Sequence, residues 1–488
     1  MKKNRFLVIL SLFVAILLLI PSCAVNPVTG KKQLMLMSEA QEVALGAQYD
    51  PSVVSTFGEY KEADLDAFLQ NMGKQMGLIS HRPNLAYHFK VLDTPVVNAF
   101  AVPGGYIYLT RGILAMLNNE AELAGVMGHE MGHITARHTA SQQTKQTLGQ
   151  VLLIGGMLAS KKFASVAQQA FQGMQLLFLK FSRDNEREAD KLGVEYSSKV
   201  SFDAHKMADF FHVLQKMSMA EEQGGVPTFM STHPDPGDRY NAVNAEATQW
   251  QTKLQYPAWK VNQDGYLKLI DGLVYGEDPR QGYVEGSTFY QPELKFQFTY
   301  PDGWQFQNSP IQVQMSPKDG NAMIAFTFAA GSSLQAATDS ALIGLGVTVQ
   351  EKQAVKVNGL PAIAVVSTKV NQDQTTGTQS TLQILSYFIE FGKNYYVFHG
   401  VSSTTNFNTY VAAMKATMTS FSQVTNPAKL VVKPDYIRVK KVAKAATLAE
   451  IFKSFNVPAD KFKEYALMNN VELTDQVPVG KLIKIVGK

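Results

Sequence analysis

The sequence predicts a multidomain α+β protein, and three observations carry that expectation. Its 488 residues exceed what one ordinary core holds, so about three domains are expected. Apolar residues recur at spacings of three and four from about residue 36 to 255, then give way to alternating, β-rich text from about 290 to 422. The last stretch, about 434–488, reads strand, helix, helix, strand. The expected segments are 1–22 as an export signal, 23–255 as a mainly helical domain with a small edge-stranded sheet, 256–289 as a linker, 290–425 as an α/β domain, and 430–488 as a small βααβ module.

The N-terminus begins with Lys2, Lys3 and Arg5, continues as an apolar run from Phe6 to Ile20 broken only by Ser11, and ends in Ile20-Pro21-Ser22-Cys23. The run is short for a membrane-spanning helix, which needs about 20 apolar residues, and small residues before a cysteine suit cleavage. Cys23 is also the only cysteine, so no disulfide is available to the mature chain. The string resembles a bacterial lipoprotein signal. That resemblance implies acylation of Cys23, anchorage to a lipid membrane by several chains, and, with Ala24 following, the periplasmic face of the outer membrane. Removing the three basic residues takes the formal charge from +4 to +1, which gives no reason to expect nucleic acid as a partner. With 45% hydrophobic and 18% charged residues, disordered and collagen-like classes are excluded.

In the helical stretch, Leu65, Phe68, Leu69 and Met72 mark one buried face. Val96–Leu109 departs from it: β-branched and aromatic residues flank Pro103-Gly104-Gly105, predicting strand, turn and strand. Further on, Leu294–Tyr300, Met323–Phe328, Ala362–Thr368, Leu382–Phe391 and Tyr395–Val401 are expected strands, with turns at Asn358-Gly359 and Gly392-Lys393-Asn394. A helix bearing Phe407, Tyr410, Met414 and Phe421 is expected to cover that sheet. The final module should carry helices over Leu448–Phe455 and Ala459–Met468 and a strand over Lys481–Val486.

One string carries chemistry, Gly128-His129-Glu130-Met131-Gly132-His133, in a helix starting near Asn118 or Asn119. Four residues are slightly more than a turn, so His129 and His133 project from one face at a separation that one zinc ion bridges. Glu130 sits one residue round the helix, where it reaches a water without ligating the metal. A catalytic zinc needs a third protein ligand. His138 is near, but on a continuous helix it lies about 140° round from His133, so it is read as a satisfied helix-end group beside Arg137. Ser182–Asp190 offers a better candidate. Ala189, Leu192, Gly193 and Tyr196 mark the buried stripe of that helix, and Glu186 falls on it; a carboxylate aimed into a core is costly unless paired or metal-bound. Asp190, one turn on, can accept a ligand histidine's N–H. The competing reading makes Glu186 and Asp190 a surface pair with Arg183 and Arg187.

Several strings together resemble the gluzincin zinc metallopeptidases of family forty-eight, the CAAX prenyl endopeptidase-like group, in its soluble periplasmic branch. They are Asn98-Ala99-Phe100-Ala101 with Pro103-Gly104-Gly105, the helix of His129 to His133 with Arg137-His138, Ser182 to Asp190, and Ser231-Thr232-His233-Pro234 followed by Arg239, spanning roughly residues 36–250. The resemblance implies one Zn²⁺ per chain and protein or peptide as substrate. It also implies that Asn98 to Ala101 present an edge to which a substrate backbone adds as a strand. His233 is implied as a fourth ligand that holds the enzyme latent; the alternative for it is a turn residue before proline. Where prenyl proteases have membrane helices, the most apolar stretch here, Val151–Ala159, is too short to span, and the segment from it up to Phe181 reads as helices or a mobile lid over the cleft. The middle domain resembles PsbP-like folds. The final module resembles the LysM fold, which implies peptidoglycan as a partner, although Lys444-Ala445-Ala446 stands where Gly-Asp is usual.

The expected function is that of a zinc metalloendopeptidase hydrolysing unfolded or misassembled cell-envelope proteins. Glu130 is the expected base and Arg239 a stabiliser of the developing oxyanion, or else a salt-bridge partner of Asp235 or Asp238. The alternative is a chaperone-like assembly or binding lipoprotein with little proteolytic activity.

Overall fold

The computed structural model describes residues 23–142, 144, 181–220, 229, 232–233, 238–372 and 379–488. The export signal, the Val151–Ala159 stretch read as helices or a lid, and Ser231, Pro234 and Asp235 lie outside the described residues, as does the Cys23 thiol. The chain divides into two compact units: one of residues up to Val54, Gly58–Gly276 and Tyr436–Gly487, the other of Ser55–Phe57, Glu277–Asp435 and Lys488.

The first unit opens with a hairpin of β1 (Cys23–Val25) and β2 (Lys32–Leu34), turned on Asn26, whose Oδ1 accepts from the N–H groups of Val28 and Thr29. Helix α1 (Glu39–Phe57) starts at a reciprocal cap in which Ser38 and Gln41 satisfy each other's backbone N–H. Helix α2 (Ala63–Leu78) buries Leu65, Leu69 and Met72 of the expected face, while Phe68 is half-buried against the same core. Strands β3 (His88–Leu92), β4 (Ala99–Val102) and β5 (Tyr106–Thr110) form a sheet in the order β3-β5-β4, with β3 parallel and β4 antiparallel to β5. The β4–β5 turn is the expected Pro103-Gly104-Gly105. Gly105 sits at φ +98°, and a Cβ there would fall 2.0 Å from the Ala86 carbonyl oxygen, so only glycine closes this hairpin.

Helices α3 (Arg111–Met116), α4 (Glu120–Thr135), α5 (Arg183–Lys199), α6 (His205–Ala220), α7 (Arg239–Leu254) and α8 (Gln263–Leu269) and strand β6 (Val274–Tyr275) follow. Asn119 caps α4, its side chain accepting from the Glu122 N–H at 2.8 Å, an interaction worth about 1 kcal/mol. Fifteen of the sixteen α4 residues are buried, which explains why the helix is apolar nearly all round. It lies against α5 at a glycine contact: a Cβ on Gly128 would stand 2.9 Å from the Gly193 carbonyl oxygen.

The second unit is β-rich, as expected. Strands β7 (Tyr283–Glu285), β8 (Thr288–Gln291) and β9 (Phe296–Thr299) form an antiparallel sheet closed at its far edge by β17 (Ser422–Gln423). Strands β10 (Gln305–Asn308), β11 (Gln312–Ser316), β12 (Ala322–Ala329), β13 (Thr348–Val357), β14 (Leu360–Gln372), β15 (Gln379–Phe391) and β16 (Asn394–Ser403) make a seven-stranded sheet in the order β10-β11-β12-β16-β15-β14-β13. Every pairing in it is antiparallel. Helix α9 (Leu334–Leu345) packs Ala337 and Leu342 with Val365, Phe388 and Val397, while α10 (Phe407–Thr419) packs Phe407, Met414 and Met418 with Phe298, Phe326 and Phe398.

The chain then returns to the first unit through β18 (Asp435–Lys441), β19 (Ala446–Thr447), α11 (Leu448–Ser454), α12 (Phe462–Asn469), β20 (Gln476–Val477) and β21 (Leu482–Gly487). The sequence reading set this segment, 430–488, apart as a module following the 290–425 domain, and 256–289 as the linker before that domain. In the structure β18 lies between β21 and β6, and α8 and β6 both fall within 256–289. Leu448, Phe452, Met468 and Ile483 share one core with Leu123, Met127 and Phe210. Lys484 is wholly buried and donates from Nζ to the carbonyls of Ala115 and Leu117, both at 2.7 Å, tying β21 to the turn before α4.

Candidate metal centre

Four side chains converge inside the first unit. His129 and His133 come from successive turns of α4, Glu186 from the first turn of α5, and His233 from the segment before α7; one ligand atom of each lies within 4.8 Å of all the others. All four are buried. The glycine contact between α4 and α5 is what lets Glu186 reach the histidines: its oxygens lie 3.6 Å from His129 Nε2 and from His133 Nε2.

The hydrogen bonds around the cluster fix which ring nitrogens face inward. His129 Nδ1 meets Asp190 Oδ1 at 2.9 Å, and a carboxylate only accepts, so Nδ1 carries the proton and Nε2 presents a lone pair. His233 Nδ1 lies 3.3 Å from the Phe229 carbonyl oxygen, which again places the proton at Nδ1 and leaves the buried Nε2 without a partner. His129 Nε2 and His133 Nε2 stand 3.1 Å apart. Both Glu186 oxygens are buried without a hydrogen-bond partner. Bare nitrogens facing one another beside an unpaired carboxylate are what a bound cation satisfies, and a set of three imidazoles and one carboxylate suits zinc. Burial holds all three imidazoles below the usual histidine range, so they stand neutral and ready to ligate. Burial pushes the Glu186 carboxyl up to about 9, only partly offset by Arg239. A cation in the cluster would reverse that.

Glu130 is fully buried, lies off the ligand group, and has both oxygens unpartnered, with His233 Nε2 3.6 Å from Oε1. Burial pushes its carboxyl up to about 8. Asp190 accepts from His129 and from Arg239, whose Nε and Nη2 donate at 2.9 and 2.6 Å. Burial alone would raise the Asp190 carboxyl; the Arg239 guanidinium and the His129 bond together hold it at about 2. Arg239 is thus engaged with Asp190, 3.7 Å from Glu186, and stacked on Phe211 at 3.9 Å. The sequence reading gave it an oxyanion or a pairing with Asp235 or Asp238, and missed Asp190 because α5 and α7 meet only in the folded chain.

His138 is where sequence reasoning misplaced a residue. It does not continue α4: Arg137 adopts φ +59°, the chain turns, and the His138 ring comes back beside His133 with the two Nδ1 atoms 2.9 Å apart. Arg137 itself points away, donating from Nε to Glu42, which also receives Arg82. Ala99 to Ala101 sit on β4, with Asn98 immediately before it, and β4 pairs only with β5 among the described residues. Ala99, Phe100 and Ala101 are buried, and the Asn98 amide is buried with neither polar atom hydrogen-bonded. No helix among the described residues is long and apolar enough to cross a membrane.

Residues 60–247 match the profile of Peptidase family M48. Among curated relatives, the chain is 27% identical over 239 residues to the Beta-barrel assembly-enhancing protease of Yersinia pestis, covering 47% of this chain and 49% of the relative. It is 28% identical over 233 residues to that of Escherichia coli, covering 46% and 47%. It is 31% identical over 196 residues to the Mitochondrial metalloendopeptidase OMA1 of Arabidopsis thaliana, covering 38% of each. The chain thus spans about half the length of the relatives it matches first. Among solved structures, the cyanobacterial PsbP of Synechocystis is similar over 29% of this chain and 96% of its own at 11% identity and a TM-score of 0.23, a likeness too slight to carry an argument. The sequence match covers α4, α5 and the start of α7, the elements that bring His129, His133, Glu186 and Arg239 together, and residues 60–247 are accordingly a peptidase family M48 domain of the gluzincin metallopeptidase class.

Proposed function

We propose that the protein is a zinc metalloendopeptidase acting on polypeptides of the cell envelope, with one zinc held by His129, His133 and Glu186. The observation that carries this reading is the pair of buried carboxylates with different stations. Glu186 lies in the ligand group, while Glu130 lies beside it, unpartnered and free to handle a proton. A purely structural site needs no such second carboxylate. When bound, zinc would supply the Lewis acidity that lowers the pKa of water toward about 7 and polarises a scissile carbonyl. Glu130 accepts the proton of the attacking water and returns it to the leaving amine. Asp190 keeps the His129 proton on Nδ1, and Arg239 holds Asp190 in place. The backbone of β4, with the unpaired Asn98 amide at its start, offers main-chain groups to an added strand.

His233, whose buried Nε2 is bare and lies with the other ligand atoms, would hold the same ion as a removable fourth ligand. The names of the relatives, a beta-barrel assembly-enhancing protease and a mitochondrial metalloendopeptidase, support polypeptides as the substrate class. We assign the finer points on sequence grounds: acylation of Cys23, residence at the periplasmic face of the outer membrane, a PsbP-like middle domain, and a LysM-like C-terminal segment that meets peptidoglycan. The closed four-ligand set also favours a second reading, a binding factor whose zinc is permanently capped.

Casein hydrolysis by the mature chain, with zinc content measured in parallel, separates the two. The expected result is about one zinc per chain, a loss of about 10²–10⁴-fold in Glu130→Gln, and faster turnover in His233→Ala. Zinc retained in all three with no cleavage of casein or of unfolded envelope proteins would transfer the case to the binding factor.

A further inference from the structure

His133 differs from the other two imidazoles in having no oxygen against its outer nitrogen. Its Nδ1 faces the Nδ1 of His138 at 2.9 Å, and two imidazole nitrogens bond only when one of them carries a proton. The choice is settled one ring further out. His138 Nε2 lies 3.0 Å from Glu188 Oε2, and a carboxylate accepts, so a neutral His138 carries its one proton on Nε2 and leaves Nδ1 bare. His133 must then donate from Nδ1, which leaves its Nε2 lone pair directed at His129 Nε2 and Glu186 Oε1. The opposite tautomer of His133 would place an N–H where the cation belongs.

We propose that His138 and Glu188 form a positioning relay for His133, a carboxylate acting through an intervening imidazole, as Asp190 acts directly on His129. The inference rests on the metal reading of the cluster. His138 is not a ligand: it stands behind His133, outside the group that converges on the site. It is 3% exposed, so its orientation is fixed by its two bonds and by Phe181, whose ring lies 6.1 Å away and stacks on His133 at 4.0 Å. Glu188, with a side chain 30% exposed, ends the relay at the surface. Two sequence features build it: the left-handed turn at Arg137 returns His138 to His133, and Glu188 follows Glu186 by two residues, on another face of α5.

Zinc affinity of the full mature chain, measured by competition with a chelating dye, tests the relay alongside the melting temperature of the zinc-free form. His138→Leu keeps bulk but removes the acceptor, and is expected to weaken zinc binding about 10–100-fold with little change in the zinc-free melting temperature. His138→Asn restores an acceptor at the Nδ1 position and should recover most of the loss. Glu188→Gln, at a part-exposed site that folding tolerates, should show a smaller loss in the same direction. Parent-like zinc affinity in His138→Leu and Glu188→Gln overturns the relay and leaves the metal site standing. An Asn variant as weak as the Leu variant overturns it in favour of ring packing. A parent chain that binds no zinc removes both the relay and the metal reading beneath it.

Discussion

The two units handle buried charge in opposite ways. In the first, Glu42, Arg82, Arg111, Glu122, Glu130, Glu186, Asp190, Arg239 and Lys484 are all buried. In the second, Asp278 is the sole buried carboxylate or cation among the described residues, and the interior is a cluster of rings in which Phe296, Phe326, Tyr396, Phe398 and Phe421 touch one another. Burying ions without partners costs several kcal/mol each, so a fold accumulates them only where they are matched or put to use. Where the first unit matches them, it does so across elements distant in sequence: Asp190 with Arg239, Glu42 with Arg82 and Arg137. Among the described residues the interior of the second unit is instead apolar and aromatic, with its ion pairs, such as Lys352 with Asp339, toward the surface.

Two substitutions should separate these regimes most sharply. Asp190→Ala strands Arg239 and releases His129, and is expected to cost the first unit about 3–5 kcal/mol and to weaken zinc binding. Phe398→Ala should cost the second unit a similar 3–5 kcal/mol and leave zinc affinity untouched. Calorimetry of each variant with dye competition checks both, and a zinc defect in Phe398→Ala would mean that the units are not energetically separate. Stripping the metal should come next in size. At free zinc a hundredfold above its Kd, binding stabilises the first unit by about 2.7 kcal/mol, so a chelator should lower one unfolding transition and not the other. A separate effect is a pH response in the second unit. Burial pushes the His399 imidazole, bonded to Ser386 Oγ at 2.8 Å, down to about 4. Between the ordinary histidine value of 6.5 and about 4, the unfolded chain takes up a proton that the folded one refuses. Stability of that unit should therefore fall as pH drops through this window and level off below it. His399→Gln should flatten the slope; an unchanged slope would assign it elsewhere.

Much of this was legible in the sequence, for reasons tied to range. The spacing of His129 and His133 and the register of Glu186 on its stripe are local helical geometry, and the β-hairpin turns at Asn358-Gly359 and Gly392 announce themselves by residue type. What escaped depends on backbone irregularity or on chain return. The position of His138 hinges on one dihedral at Arg137, a residue type that gives no notice of a left-handed turn. The partner of Arg239 lies 49 residues away on another helix. The C-terminal segment reads as self-contained because its own helices are amphipathic, yet β21 pairs with β18, which in turn lies beside β6. Strand β13 was missed because all but two of its residues are exposed, so it lacks the alternation that marks a half-buried strand.

The contact between Gly128 and Gly193 is a seam with no side chain between two backbones, and spreading it would break packing along α4. The His129–His133 pair and Glu186 hang from opposite sides of that seam, so their separation begins with how closely α4 and α5 approach. A side chain at either glycine would act as a wedge, so the cluster depends on two residues that take no part in it.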